Sequence, residues 1–435
     1  MERFTMQHTT PARFIIRSAR PEDADSMAAL YKETYLVANS GSCGERYPFP
    51  QFMDPLWFAN NLIRKEFCWI VAEAFGKVIG CFGVLRNIGS PGSEDRIAEQ
   101  TGLVVNEKWR RLGVATGLMA ELCKRIKDAT HFIIAEARTA NPGGWKVAKK
   151  HGFVPIGFEP LAHMTDSGHE PMLVLGKLSD TAIKNRSIDY TVSVKVQKLA
   201  KKVCRLFSIN CPQANESIPY PITFDSWREL RNILVPVHPV FDKTNFEEKG
   251  DFRIVSDISN NDQLPKMELN LIGNHNSGIV RLKRLEGKDP NSKRYSEKYF
   301  LVFYKKDLLA VGRISWDHLD CRARILSLQS KFHGLQGILI ANIVQSLKQL
   351  TRNNDLQTIV LDVRADFSSL HVSLEQLGFF PTIYYPSFIS KNSERIDAVQ
   401  YTLILEDNID KHFESVKFLD ANCLDVMNTV QNMKD

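Results

Sequence analysis

No run of about 18 apolar residues occurs in this chain, so nothing in it reads as a transmembrane helix. The opening stretch, MERFTMQHTT, lacks the apolar centre of a signal peptide. Cysteine pairs at C-x-x-C spacing are also missing: the 8 cysteines, at 43, 68, 81, 123, 204, 211, 321 and 423, are scattered. That excludes a zinc-ribbon site and a disulfide framework, so no metal is expected and the chain reads as cytoplasmic. A large excess of charge of one sign is missing as well. A net +6 over 435 residues suits a polyanionic small molecule but does not call for nucleic acid. No Gly-x-Gly-x-x-Gly follows a strand and no Gly-Lys-Ser/Thr closes a loop, which removes the two commonest nucleotide cradles. With 43% hydrophobic and 24% charged residues, what remains is an ordinary globular protein of about two domains.

What is present is Leu103–Met119, LVVNEKWRRLGVATGLM. An apolar run of strand type enters a turn holding Arg110, Arg111, Leu112, Gly113, Val114 and Ala115, and an amphipathic helix begins there. Small residues let backbone approach a pyrophosphate, and the first N–H groups of a helix have no partner within it. Arg110 and Arg111 add planar donor forks.

This Arg-x-x-Gly-x-Ala turn resembles the acyl-CoA loop of the Gcn5-related N-acetyltransferase (GNAT) superfamily. The surrounding pattern agrees. Phe14–Arg17 reads as a strand, 21–37 as a helix, 39–54 as a loop beside the acceptor site, and 55–65 as a helix. Cys68–Ala74 and Val78–Val84 flank Phe75-Gly76-Lys77 as a hairpin. Ile97–Val105 is the next strand, followed by the loop and helix, a strand at His131–Ala137, a helix at Gly143–His151, and strands at Phe153–Phe158 and Met172–Gly176. Asn141 with Lys150-His151-Gly152-Phe153 resembles a second family signature. The resemblance covers 12–178 and implies an α/β domain with a mixed, mostly antiparallel sheet flanked by helices.

Acyl transfer from a thioester to an amine needs a polarised carbonyl, a neutral amine and a stabilised thiolate. A lysine-type amine is mostly protonated at pH 7, so a base matters. Glu99, on the strand before the loop, matches in place the catalytic Glu of the histone-acetylating branch; Glu136 is the second candidate. The resemblance further implies that backbone groups of Leu103, Val104 and Val105 pair with pantetheine and polarise the carbonyl. Asn141 contacts CoA in many members; as a helix N-cap before Pro142 it has a second explanation. The family's Tyr that protonates the thiolate is replaced by Ala148, and His151 is a weak substitute. Cys81 and Cys123 read as core.

The second half repeats the pattern. Tyr299–Tyr304 and Leu308–Ile314 form a hairpin, Arg324–Gln329 a strand, and 332–339 a Gly-containing turn before a helix from Ile340 to Leu350. Thr358–Val363 is a strand, and a short helix ends in Leu377-Gly378-Phe379. Gly113 and Gly152 stand almost as far apart as Gly337 and Gly378. Aligning Gly113 with Gly337 puts Gly334 at Arg110, Leu339 at Ala115 and Ala323 at Glu99. The expectation is two GNAT-like domains, the second degenerate: 12–178 catalytic, 179–214 a basic amphipathic linker helix, 215–407 the inert copy, and 408–435 a helical tail. The helix at 190–207 reads as an interdomain packing element rather than a membrane-binding one. The expected partners are acetyl-CoA or a longer acyl-CoA, and an amine acceptor with a lean to a peptide or protein side chain. The alternative is an acyl-CoA-binding or scaffolding protein without turnover.

Overall fold

The computed structural model describes residues 14–35, 49–89, 94–139, 142–165, 168–216, 252–259, 278–282, 294–304, 307–330, 335–350, 356–405, 416 and 419–434. In chain order the first half supplies β1 (Ile15–Ser18), α1 (Ala24–Tyr35), α2 (Pro55–Leu62), β2 (Phe67–Ala74), β3 (Lys77–Arg86), β4 (Ile97–Val105), α3 (Val114–Ile126), β5 (Phe132–Arg138), α4 (Pro142–Lys150), β6 (Val154–Thr165) and β7 (Gly168–Leu178). Then come α5 (Asp180–Lys184), β8 (Thr191–Val192), α6 (Val194–Phe207) and β9 (Gln213–Ala214). The second half supplies β10 (Phe252–Ser259), β11 (Tyr295–Tyr304), β12 (Asp307–Asp317), β13 (Arg322–Ser330), α7 (Leu335–Leu350), β14 (Thr358–Arg364), α8 (Ser368–Gln376), β15 (Phe380–Lys391), β16 (Glu394–Ile404) and α9 (Ala421–Gln431).

Fourteen strands form one sheet in the order β1-β2-β3-β4-β5-β7-β6-β15-β16-β14-β13-β12-β11-β10. Read inward from either edge, the two halves present the same sequence of elements. Each contains one parallel pair, β4/β5 and β13/β14, and is otherwise antiparallel. The halves meet where β6 lies antiparallel to β15, with Gly157 opposite Ile383. Local chemistry explains the hairpins. Phe75 and Gly76 (φ 51° and 71°) turn β2 into β3, and Asn392 and Ser393 (φ 48° and 68°) turn β15 into β16, as two-residue turns with both φ positive require.

The core is continuous across the joint. Phe132 of β5 meets Phe388 of β15 edge to face, with centroids 5.0 Å apart. Helix α6 starts at Ser193, whose hydroxyl accepts from the Val196 N–H at 3.2 Å. It buries Val196, Leu199, Ala200, Val203 and Cys204, and packs on β6 and β15. Its basic side is engaged too: Lys202 and Arg205 each approach Asp425 of α9 at 2.8 Å, and Lys195 donates to the Met433 carbonyl. Its apolar face thus packs on strands of both halves and its basic side on α9. Among the described residues no helix is long and apolar enough to cross a membrane.

Three sequence expectations change. β6 and β7 are much longer than Phe153–Phe158 and Met172–Gly176, because polar residues that look like loop are buried under the second half. His163 of β6 meets Asp320 of the β12–β13 turn at 3.1 Å, and the Met164 N–H donates to the same carboxylate. Second, Gly113 precedes α3 as its N-cap, whereas Gly337 is already inside α7. The two glycines are not equivalent, and Leu339 is a fully buried core residue rather than one facing phosphates. Third, strand register replaces the alignment of Glu99 with Ala323. Ile97, Ala98 and Glu99 pair with Phe132, Ile133 and Ile134; Arg322, Ala323 and Arg324 pair with Thr358, Ile359 and Val360. Arg324 holds the place of Glu99. Gly334 lies outside the described residues.

Candidate active site

The site is built where β4 and β5 part. Their parallel pairing runs from Ile97/Phe132 to Gln100/Ala135 and stops. Beyond it, β4 continues through Thr101–Val105, and Asn106 caps a short turn by accepting from the Lys108 N–H at 3.1 Å. The chain then reverses through Arg110–Gly113, with Arg111 at φ 65° and Gly113 at φ 86°. The first intrahelical bond of α3 joins the Gly117 N–H to the Gly113 carbonyl at 2.9 Å, so the N–H groups of Val114, Ala115 and Thr116 precede it at the positive end of a 13-residue helix.

Arg110, Arg111, Leu112 and Gly113 are exposed, while Val114 is buried as the loop's anchor. The Arg110 Nε lies 3.4 Å from the Val105 carbonyl, which keeps its guanidinium beside the end of β4. These residues fit a pyrophosphate: two exposed cations, a helix N-terminus and no side chain on the N-cap. Leu103 and Val105 are half-buried and Val104 is buried in the cluster beneath α1. Asn141 lies outside the described residues.

Glu99 is buried at 8% exposure. Its neighbour Gln100 reaches Met119 Sδ at 3.3 Å and Cys123 Sγ at 3.7 Å on α3. Alternation therefore sends Glu99 to the opposite face, the one covered by α1 and α2. Glu136 shares that face, two residues beyond Ile134, the partner of Glu99. Arg138, two residues further along β5, forms an ion pair with Glu170 of β7 at 2.6 Å. Ala148 is a buried core residue of α4. His151 titrates below the usual histidine range, first because it is buried and then because Lys177 is near. The Cys81 thiol is pushed up to about 12 by burial, which makes it a core group and not a nucleophile.

Two aromatic residues of α1 escaped the sequence reading. Tyr31 donates to the carbonyl of Gly102 in β4. Tyr35, one turn later, stacks on Tyr31 at 6.3 Å; burial raises its phenol, and the charges of Arg138 and Arg110 oppose that rise. The one local signal was the spacing of Met27, Tyr31, Thr34 and Tyr35 on a helix face.

Residues 25–153 match the family model described as Acetyltransferase (GNAT) family. This part of the chain is a GNAT acetyltransferase domain. The family is one of acetyltransferases, so the matched span is of the acetyltransferase type. Solved structures similar to it include a ribosomal-protein-alanine N-acetyltransferase from Brucella melitensis (20% identity, 38% of this chain and 99% of that one, TM-score 0.33). Others are yncA, a putative acetyltransferase from Salmonella typhimurium with acetyl-CoA (15%, 38% and 94%, 0.32) and NAA60 of Arabidopsis thaliana with a bisubstrate analogue (14%, 39% and 99%, 0.32). No curated protein matches the chain. The GNAT domain's matched span ends at the Gly152-Phe153 pair and contains the whole of the site described above.

Proposed function

We propose that the chain transfers an acyl group from acyl-CoA to a primary amine through the site between β4 and β5, with Glu99 as the base. The observation that carries this reading is the joint placement of three things: an exposed Arg110–Gly113 turn at the start of α3, the parting of β4 from β5, and a buried carboxylate on the last paired positions. The co-substrate supplies an activated thioester acyl group. Arg110, Arg111 and the first N–H groups of α3 hold its pyrophosphate, and backbone of Leu103–Val105 lines the acyl arm. Glu99 takes the proton of the attacking amine directly or through water, so that transfer proceeds without a covalent enzyme intermediate. Acetyl is the default acyl group, and a longer chain is the variant to test beside it. A peptide or protein amine is the favoured acceptor because the β6–β7 hairpin, which follows β5 in the sheet, is fastened to a whole second unit.

That second unit is read as a GNAT-like copy without its own base. The support is the mirrored strand order and Arg324 at the position of Glu99. On this reading the units span 12–178 and 215–407, with 179–214 bridging them and 408–435 as the tail.

Calorimetry with acetyl-CoA and a series of longer acyl-CoAs, on wild type, Arg110→Ala and Glu99→Gln, tests the reading. Arg110→Ala should weaken binding about tenfold through loss of a charge-assisted contact. Glu99→Gln should leave binding intact and cut transfer to a lysine-containing peptide panel by about 10²-fold or more. Binding by no acyl-CoA, or transfer unchanged in Glu99→Gln, would overturn it. Binding without any transfer would favour the scaffolding alternative.

A further inference from the structure

At one point β4 carries one residue more than its neighbour. Cys81 of β3 faces Val104 and Gly83 faces Thr101, so Phe82 alone opposes Gly102 and Leu103. This is a β-bulge whose first residue is a glycine at φ 69°. It begins two residues after the last pairing of β4 with β5.

The bulge is held from α1. The hydroxyl of the fully buried Tyr31 donates to the Gly102 carbonyl, and the Cys81 thiol donates to the Tyr31 oxygen at 3.7 Å. The Tyr31 ring is wedged against Phe52 and Phe58, with centroids 5.3 Å and 6.0 Å away. A β-carbon on Gly102 would stand 2.4 Å from the Tyr31 oxygen, 2.8 Å from the Trp69 ring and 2.9 Å from the Phe52 ring. The left-handed backbone and the aromatic wall thus specify each other: glycine is needed for the turn, and only glycine leaves room for the phenol.

A trans peptide group is planar, with its carbonyl and N–H pointing in opposite directions. Fixing the Gly102 carbonyl against α1 therefore aims the Leu103 N–H away from α1, on the side of the strand where Gln100 meets α3 and the Arg110–Gly113 turn begins. We propose that Tyr31 is the positioning residue of the acyl site: by holding the bulge it sets the direction of the backbone N–H at Leu103 that polarises the acyl carbonyl. This rests on the acyl-CoA reading above. A backbone donor aimed at a developing oxyanion acts strongly only when its direction is fixed beforehand, which is what a buried phenol can do and a solvent-exposed strand end cannot.

The test compares wild type, Tyr31→Phe and Phe58→Leu, using CoA, acetyl-CoA and acetyl-CoA labelled with carbon-13 at the thioester carbonyl. Phe58→Leu trims the packing on the same ring while leaving the hydroxyl, so it reports what loss of stability alone does. In wild type, isotope-edited infrared should show the bound carbonyl band shifted to lower frequency than in solution. In Tyr31→Phe the CoA affinity should stay within about twofold, acetyl-CoA should lose its advantage over CoA, and the band should return toward its solution position. With an active acceptor in hand, kcat should fall about tenfold, a fraction of the effect of deleting an oxyanion donor, while KM for acetyl-CoA changes little. Phe58→Leu should keep the wild-type band even where its melting point drops. A wild-type band in Tyr31→Phe, or an equal shift in Phe58→Leu, would overturn the proposal while leaving acyl-CoA binding in place. Failure of wild type to bind acetyl-CoA would instead overturn the acyl-CoA reading, and this proposal with it.

Discussion

Gly157 lies so close to Ile383 that a β-carbon on it would stand 2.4 Å from the Ile383 Cα and 2.3 Å from the Thr382 carbonyl oxygen. This contact is where the sheet of the first half becomes the sheet of the second. Both obstacles are backbone, so neither can rotate out of the way. Gly157→Ala must push β6 from β15, and the expected cost is about 1–3 kcal/mol, the usual range for overpacking a tight site. Denaturant melts should show a lower midpoint. Because the Arg110–Gly113 turn proposed to hold the pyrophosphate is built within the first half, acyl-CoA affinity should change little in folded Gly157→Ala. A variant as stable as wild type would mean that the joint is loose in solution.

The pH dependence of stability has a definite sign at His371. This side chain of α8 is fully buried, its Nε2 2.9 Å from the Arg364 carbonyl and its ring edge to face with Tyr401. Burial lowers it to about 4, against the smaller opposing effects of the Arg364 carbonyl and Asp366. Unfolded, it titrates near 6.5. Between those values the unfolded chain binds the extra proton, so stability is full above about pH 6.5 and falls as pH drops toward 4. Between pH 7.5 and 5.5, where carboxylates hardly titrate, the loss from this group should be roughly 1 kcal/mol. His131 and His151, also lowered first by burial, act in the same direction. His371→Gln keeps an amide donor for the Arg364 carbonyl but cannot be protonated, so its denaturation midpoint should fall less over that interval. An identical slope in variant and wild type would show that His371 is protonated without unfolding.

How much was legible beforehand depended on how local the cause was. The Arg110–Ala115 turn, the Phe75-Gly76 hairpin and the helix ending at Gly152 are set by residues adjacent in the chain, and each stands where the pattern put it within a few residues. The face of Glu99 also follows from alternation once the strand is known. Two other features have distant causes. The bulge at Gly102 is imposed by Tyr31, Phe52 and Trp69, none of them near in sequence. The ends of β6 and β7 are buried by Asp320 and Arg322 from the other half, so His163, His169 and Glu159 looked like surface residues. The register of the second half could not be found by matching glycines, since Gly337 lies inside its helix and Gly113 caps α3. A slip of one residue changes the face of every side chain, and it exchanged Ala323 for Arg324.

Arg324 stands in the register position that Glu99 has in the first half. Its guanidinium donates to Asp362 at 2.8 Å and lies 3.7 Å from Glu159, a residue of β6 in the other half. Glu159 also accepts from Arg322 at 2.8 Å and from Gln400 at 2.6 Å. The position that carries a carboxylate in the first half thus carries a cation in the second, and that cation ties the halves together. Restoring a carboxylate should therefore not create a second active site. Arg324→Glu would put a third acid beside Asp362 and Glu159 in a buried setting, and removing one partner of a buried pair already costs about 3–5 kcal/mol. The better probe is a cycle. Arg324→Met should be strongly destabilising because it removes the cation that faces Asp362; Arg324→Met combined with Asp362→Leu should recover much of that loss, since the buried carboxylate is gone as well. Denaturant midpoints of the two single variants and the double variant measure the coupling directly. Additive losses would mean that the two side chains are held apart in solution, and that Arg324 sits at the Glu99 position without the anchoring role its contacts describe.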